Sequence, residues 1–223
     1  MFIDHIGASI IEKYLFTMPN YTETKLYSLD IILRLAGRIA FPIFCFLLVE
    51  GLLHTRSLKK YAINLFLFAL ISEIPFDLAF FGSAFYPSYQ NVFFTLLIGL
   101  FVIKGFTKIL EIEKFNKVIK FIINLLIIIS GMTVAYLLKT DYSAMGVLTI
   151  ALMYVFRKRK LLSATIGCLN LTIMSFIEIT AFLSLIPIAF YNGERGIKLK
   201  YAFYIFYPAH LLLFFIISKI IGI

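Results

Sequence analysis

The stretch that decides the fold is Tyr27-Ser28-Leu29-Asp30-Ile31-Ile32-Leu33-Arg34-Leu35-Ala36-Gly37-Arg38-Ile39-Ala40-Phe41-Pro42-Ile43-Phe44-Cys45-Phe46-Leu47-Leu48-Val49. It is long enough to cross a hydrocarbon layer of about 30 Å as a helix, which needs about 20 apolar residues. Yet it carries three ionisable groups at i, i+4 and i+8. That spacing stacks Asp30, Arg34 and Arg38 along one helical face, and such a face has to point into a bundle rather than at lipid. Pro42 lacks the N–H that would bond the Arg38 carbonyl, so the helix is expected to kink there.

Outward from this stretch, similar apolar runs recur throughout the 223 residues. The chain is 61% hydrophobic and 15% charged, with a mean hydropathy of +0.96, which excludes a soluble fold. Runs between charge clusters predict crossings near 1–18, 27–53, 61–82, 91–110, 119–138, 143–156, 161–176, 178–191 and 201–221. The expected fold is therefore an all-α polytopic transmembrane bundle of about nine spans in a single domain over 1–223, with no room for an extramembrane domain. Only helices satisfy their own backbone hydrogen bonds in runs of this length; barrel strands would alternate. Cys45 and Cys168 fall inside apolar runs and read as small buried hydrophobes, offering neither a disulfide nor a metal framework.

The net charge of +9 is distributed by side. Fifteen of the 21 basic residues fall on every second joint: Arg56, Lys59 and Lys60; Lys104 to Lys120; Arg157 to Lys160; and Arg195, Lys198 and Lys200. The opposite joints hold only Lys25, Lys139 and Lys219. The positive-inside rule then puts the N-terminus in the cytoplasm and the C-terminus outside, and removes the need for a nucleic-acid partner. An eight-span count would move Arg195, Lys198 and Lys200 to the wrong side. Residues 161–191 are short for two crossings, and Glu178 at their junction could mark a re-entrant hairpin. The first run lacks the basic leader of a signal peptide, and Asp4, Glu12 and Lys13 interrupt it; either this helix is tucked against its neighbours or the reading frame begins further upstream.

Charges at membrane depth are costly and point to function. In the third run Glu73 and Asp77 are four apart around Pro75, so that helical rise places them level with Arg34 and Arg38 in the outer half of a hairpin. These four, with Asp30 and Asn91, read either as ion pairs holding the second and third spans together or as the wall of a binding chamber. A transporter or proton-coupled channel built on Arg34, Arg38, Glu73 and Asp77 is the reading from a different functional class. His5 can take a proton near neutral pH. Its neighbour Asp4 points about 100° away around the helix, so another group has to orient the ring. His210 follows Tyr207-Pro208-Ala209 and reads as a core residue or a second catalytic histidine. On the basic side, Asn192-Gly193-Glu194-Arg195-Gly196-Ile197-Lys198-Leu199-Lys200 and His54-Thr55-Arg56-Ser57-Leu58-Lys59-Lys60 suit phosphate, or serve only to fix topology against anionic lipid.

The motifs Ile3-Asp4-His5-Ile6-Gly7, Leu35-Ala36-Gly37-Arg38-Ile39-Ala40-Phe41-Pro42, Val49-Glu50-Gly51, His54-Thr55-Arg56 and Ser72-Glu73-Ile74-Pro75-Phe76-Asp77 resemble the TraX family of membrane proteins. So do Asn91-Val92-Phe93-Phe94-Thr95, Asp141-Tyr142, Tyr191-Asn192-Gly193, Arg195-Gly196 and the Tyr-Pro-x-His core at 207–210. The resemblance implies a bacterial cytoplasmic-membrane acetyltransferase that takes acetyl-CoA from the cytosol, its founding members N-acetylating pilin. It further implies His5, with Asp4 and His210 as companions, as base or acetyl carrier. His54, Arg56, Lys59, Lys60, Asn192, Gly193, Arg195, Gly196, Lys198 and Lys200 become the dock for the CoA phosphates, with no metal required. The acceptor could be a pilin-like N-terminus, a peptide or a sugar, and the sequence leaves it and the oligomeric state open.

Overall fold

The computed structural model describes residues 1–194 and 200–223, with the backbone alone for Lys200, Tyr201 and Phe203. Among the described residues the fold is all-helical, with no strand beyond a single bridge between Gln90 and Thr140. The helices are α1 (Phe2–Ile6), α2 (Glu12–Leu15), α3 (Lys25–Gly37), α4 (Ala40–His54), α5 (Leu58–Phe81), α6 (Val92–Glu111), α7 (Lys117–Leu137), α8 (Ser143–Val155), α9 (Lys160–Met174), α10 (Leu185–Ala189) and α11 (Lys200–Ile220).

Capping residues explain where the long helices begin. Thr24, Ser57, Asn91 and Asn116 each accept a hydrogen bond from the backbone N–H two or three residues on, satisfying one of the donors that a helix start leaves free. Gly82, at φ 69°, closes α5 in the left-handed conformation and donates its N–H to the Leu78 carbonyl. The run at 27–53 breaks where Pro42 required it: α3 stops at Gly37 and α4 starts at Ala40.

Four helical stretches, Lys25–His54, Leu58–Phe81, Val92–Glu111 and Lys117–Leu137, are long and apolar enough to cross a membrane. Ser143–Val155, Lys160–Met174 and Phe176–Ala189 are apolar but shorter. At 1.5 Å per residue, the 13 residues of α8 reach only about 20 Å. Two expected crossings have another form. The first is a helix from Phe2 to Leu15 with a π-helical segment at Gly7–Ile11, and 178–191 is a 3-10 segment (Phe176–Ser184) followed by α10.

The apolar centre lies between α6, α8 and α9, where Leu100, Ile103, Val147, Ile150, Cys168 and Leu171 are completely buried. Glycines permit this packing. A Cβ on Gly131 would stand 2.3 Å from Val102, and one on Gly167 would stand 2.3 Å from Met153. Helices in membranes approach through such small residues because van der Waals contact drives their association. On the far side α7 turns Phe121, Leu126 and Leu137 outward, as a lipid-facing helix does.

Candidate active site

The site is built on the crossing of the N-terminal helix with α3. A Cβ on Gly37 would overlap the Asp4 side chain, and one on Gly7 would press on Asp30 and Arg34. Two glycines thus bring the charged face of α3 against α1. Asp4 meets Arg34 at 2.8 Å and Arg38 at 4.0 Å. Arg38 in turn meets Glu178 at 3.0 Å from the start of the 3-10 segment. Arg38 Nε and Glu178 Oε2 are buried without a hydrogen-bond partner among the described residues, so this pair has one arm only. The Tyr142 phenol lies beside Arg38, and its ring stacks on Phe41 with centroids 3.7 Å apart.

His5 and His210 form a pair. Nδ1 of His5 lies 2.8 Å from Nε2 of His210, and the rings are stacked with centroids 5.0 Å apart. Nδ1 of His210 lies 2.6 Å from the Phe206 carbonyl. A carbonyl only accepts, so this nitrogen carries the proton. In the neutral pair, His210 then receives the Nδ1–H of His5 at Nε2, which leaves Nε2 of His5 as the lone-pair nitrogen. The ring is oriented by an imidazole that a carbonyl orients, while Asp4 serves the arginines.

His5, Asp4, Arg34 and Arg38 line a cavity of about 440 Å³, shared with Glu12, Lys13, Phe80, Tyr89, Asp141 and Tyr142. A second cavity of about 700 Å³ is almost wholly apolar, walled by Ile43, Leu47, Leu65, Leu96 and Phe206 with Tyr61 and Tyr204 among them. Met1, Ala40, Phe44, Val92 and Tyr207 line both. The histidine pair stands at that seam: His5 borders the polar cavity, and Phe206, which holds His210, borders the apolar one.

The expected ion pairs between the second and third spans are absent among the described residues. Glu73 accepts from the Asn91 amide, and Asp77 accepts from the Tyr86 N–H at 2.7 Å. Asn91 also caps α6 and donates to the Ala69 carbonyl. The acids therefore fasten the loop after α5, and Arg34 and Arg38 turn to Asp4 and Glu178 instead. The cluster on which a transporter would have been built is divided in two. Asp30 is buried against Gly7, with Oδ1 unpartnered among the described residues.

Of the basic joints, His54, Arg56, Lys59 and Lys60 are exposed at the end of α4 and the start of α5. Tyr191, before Asn192 and Gly193, donates its hydroxyl to Glu50 near the same end of α4. The two joints thus share one end of the bundle. Arg195, Gly196, Lys198 and the Lys200 side chain lie outside the described residues. Tyr61 and Ala202 bring the apolar cavity to within two residues of both joints.

Glu178, Tyr142 and Asp141 are site residues that sequence reasoning passed over as functional groups. Glu178 could have been found from its cost, since a carboxylate between two short apolar runs requires a cation. Asp141 stood out only as part of the Asp141-Tyr142 motif, and nothing in its polar joint assigns it a role.

The fold and site define a helical membrane protein with a buried histidine pair between a polar and an apolar cavity. The chain belongs to the TraX family, described as TraX protein, which matches residues 1–218. It is 28% identical to the probable fimbrial assembly protein FimC, serogroup H1, of Dichelobacter nodosus, across 81% of this chain and 80% of that one. No solved structure matches it significantly.

Proposed function

We propose that this protein is an acetyltransferase of the bacterial cytoplasmic membrane that moves an acetyl group from cytosolic acetyl-CoA to an amine or hydroxyl acceptor. The observation that carries the reading is the histidine pair at the seam of the two cavities. A donor can reach it from one side and an acceptor from the other. With nine crossings and a cytoplasmic N-terminus, the exposed bases Arg56, Lys59 and Lys60 face the cytosol and take the CoA phosphates. Arg195, Lys198 and Lys200 belong to the same dock. The apolar cavity then receives the pantetheine arm. His210 is ten residues into α11, about 15 Å by helical rise, a depth that an extended arm spans.

In this reading Nε2 of His5 removes a proton from the acceptor as it attacks the thioester carbonyl. The new C–N or C–O bond forms, the C–S bond breaks, and the proton passes to the departing thiolate. His210 shares the positive charge that His5 gains in between. Direct transfer is the simpler course, and an acetyl-His5 intermediate uses the same lone pair. Arg34 and Arg38, held by Asp4 and Glu178, supply fixed positive charge to the polar cavity where the oxyanion develops. The apolar walls keep water from the thioester. The relative named for fimbrial assembly fits a pilin-like acceptor.

The test is transfer from labelled acetyl-CoA by purified protein and its His5→Ala variant. Loss of one acid–base group should slow transfer by roughly a hundredfold or more. Undiminished transfer by the variant would end the assignment.

A further inference from the structure

The described residues contain three ion pairs between arginines and carboxylates, linking Asp4 with Arg34 and Arg38 and Glu178 with Arg38, and a contact of 3.8 Å between Glu50 and His54. Asp141 takes part in none of them, although it lines the polar cavity together with His5. Its carboxylate is nevertheless fixed. It accepts from the Tyr89 hydroxyl at 2.9 Å and from the Tyr142 N–H at 3.0 Å, both neutral donors. Glu12 also lines the cavity outside an ion pair, but no hydrogen bond from the described residues holds its carboxylate.

The backbone around Asp141 is held as firmly. Gln90 pairs with the 139–141 segment on both sides of the bridge, at 3.0 and 2.9 Å, and Thr95 binds both the Asp141 carbonyl and the Thr140 hydroxyl. Tyr142 and Ser143 follow with φ of 58° and 45°, a left-handed conformation that two successive non-glycine residues rarely adopt. Such strain persists only where the surroundings enforce it, and it gathers at functional sites. The result is a preorganised carboxyl group that, among the described residues, has no ion-pair partner, in a cavity also lined by Arg34, Arg38 and Lys13.

We infer that Asp141 is the specificity-determining contact for a cationic acceptor, holding the ammonium form of the amine that is acetylated. This rests on the transferase reading. The ammonium first gives one proton to solvent, and the free amine becomes the nucleophile. As it attacks, Nε2 of His5 takes a second nitrogen proton, the C–N bond forms, the C–S bond breaks, and His5 passes that proton to the thiolate. The product is a neutral amide. Acetylation therefore removes the charge that Asp141 binds, so the site holds substrate and releases product.

Benzylamine, benzyl alcohol and N-benzylacetamide serve as probes: a cation near neutral pH, its neutral counterpart and the neutral product. Binding to the purified full chain is measured by titration, for the native protein and for Asp141→Asn. The native protein should bind the amine at least roughly tenfold more tightly than either neutral probe, the factor expected for one charge-assisted hydrogen bond. Asp141→Asn should lose that preference and bind benzyl alcohol as before, while Asp141→Glu should restore part of it. Equal binding of the three probes by the native protein, or a preference that survives in Asp141→Asn, overturns the inference. The native comparison decides the matter even if the variant does not fold. No transfer is needed in this assay. Charge preference without transfer sinks the transferase reading alone, and transfer without charge preference sinks the role of Asp141 alone.

Discussion

Nδ1 of His5 and Nε2 of His210 lie 2.8 Å apart although 205 positions separate them in the chain. The Phe206 carbonyl sets the proton on His210, His210 sets the proton on His5, and the remaining lone pair belongs to the residue that borders the polar cavity. His210 acts here through His5, as a positioning residue.

That relationship separates the two histidines kinetically. His210→Ala should lower kcat by about 10- to 100-fold with little change in the KM for acetyl-CoA, since it misorients the base without touching the donor's phosphates. His5→Ala should be worse, because it removes the base itself. Steady-state kinetics of both variants check this, and a His210 variant changed only in KM would contradict it.

The Arg38 and Glu178 pair should behave as a buried one. The Glu178 side chain is 3% exposed and that of Arg38 18%. Glu178→Ala would leave a guanidinium deep in the bundle with Asp4, at 4.0 Å, as its one remaining ion-pair partner among the described residues and the Tyr142 phenol beside it, and should cost about 3–5 kcal/mol. Replacing both, as Arg38→Met with Glu178→Leu, should cost less than the sum of the single changes. Unfolding in detergent, measured for the two singles and the double, gives the coupling.

Gly37 should be the least tolerant glycine of the site. A Cβ there would stand 2.0 Å from the Cβ of Asp4, an atom fixed to the backbone of α1, so the helices have to separate. Gly7→Ala presses on the end of Asp30, which can rotate. Gly37→Ala should therefore destabilise by about 1–3 kcal/mol and slow transfer by moving Asp4 and His5, with Gly7→Ala milder on both counts. Thermal unfolding alongside transfer rates ranks the two.

The helical bundle was legible in the sequence because lipid imposes one requirement on every crossing, and apolar runs between polar joints report it directly. Pro42 located the break between α3 and α4 for an equally local reason. The partners of the charges were not legible. Spacing at i and i+4 tells which face of α3 Arg34 and Arg38 share, but not which helix meets that face. Helical rise set Glu73 and Asp77 level with Arg34 and Arg38, yet the acids bond to Asn91 and the Tyr86 amide instead. Glu178 is 140 positions from Arg38, and no local pattern links the two. His5 and His210 were each visible as histidines in apolar helices; that they touch depends on how α11 packs against the N-terminal helix.

The exposed bases at the end of the apolar cavity call for a different pattern of effects. Arg56, Lys59 and Lys60 are solvated, so reversing Lys59 and Lys60 to Glu should leave the unfolding temperature nearly unchanged. Their contribution to donor binding is Coulombic and long-ranged, acting on phosphates that stay near water. Lys59→Glu with Lys60→Glu should therefore raise the KM for acetyl-CoA while kcat with saturating donor is preserved, because the arm and thioester still reach His5. Added salt should raise the native KM towards that of the variant, since screening weakens in the native protein the attraction that the variant lacks. Measuring KM against ionic strength for both proteins tests the dock apart from the chemistry. Parallel salt curves with equal KM would mean that these lysines touch only lipid head groups.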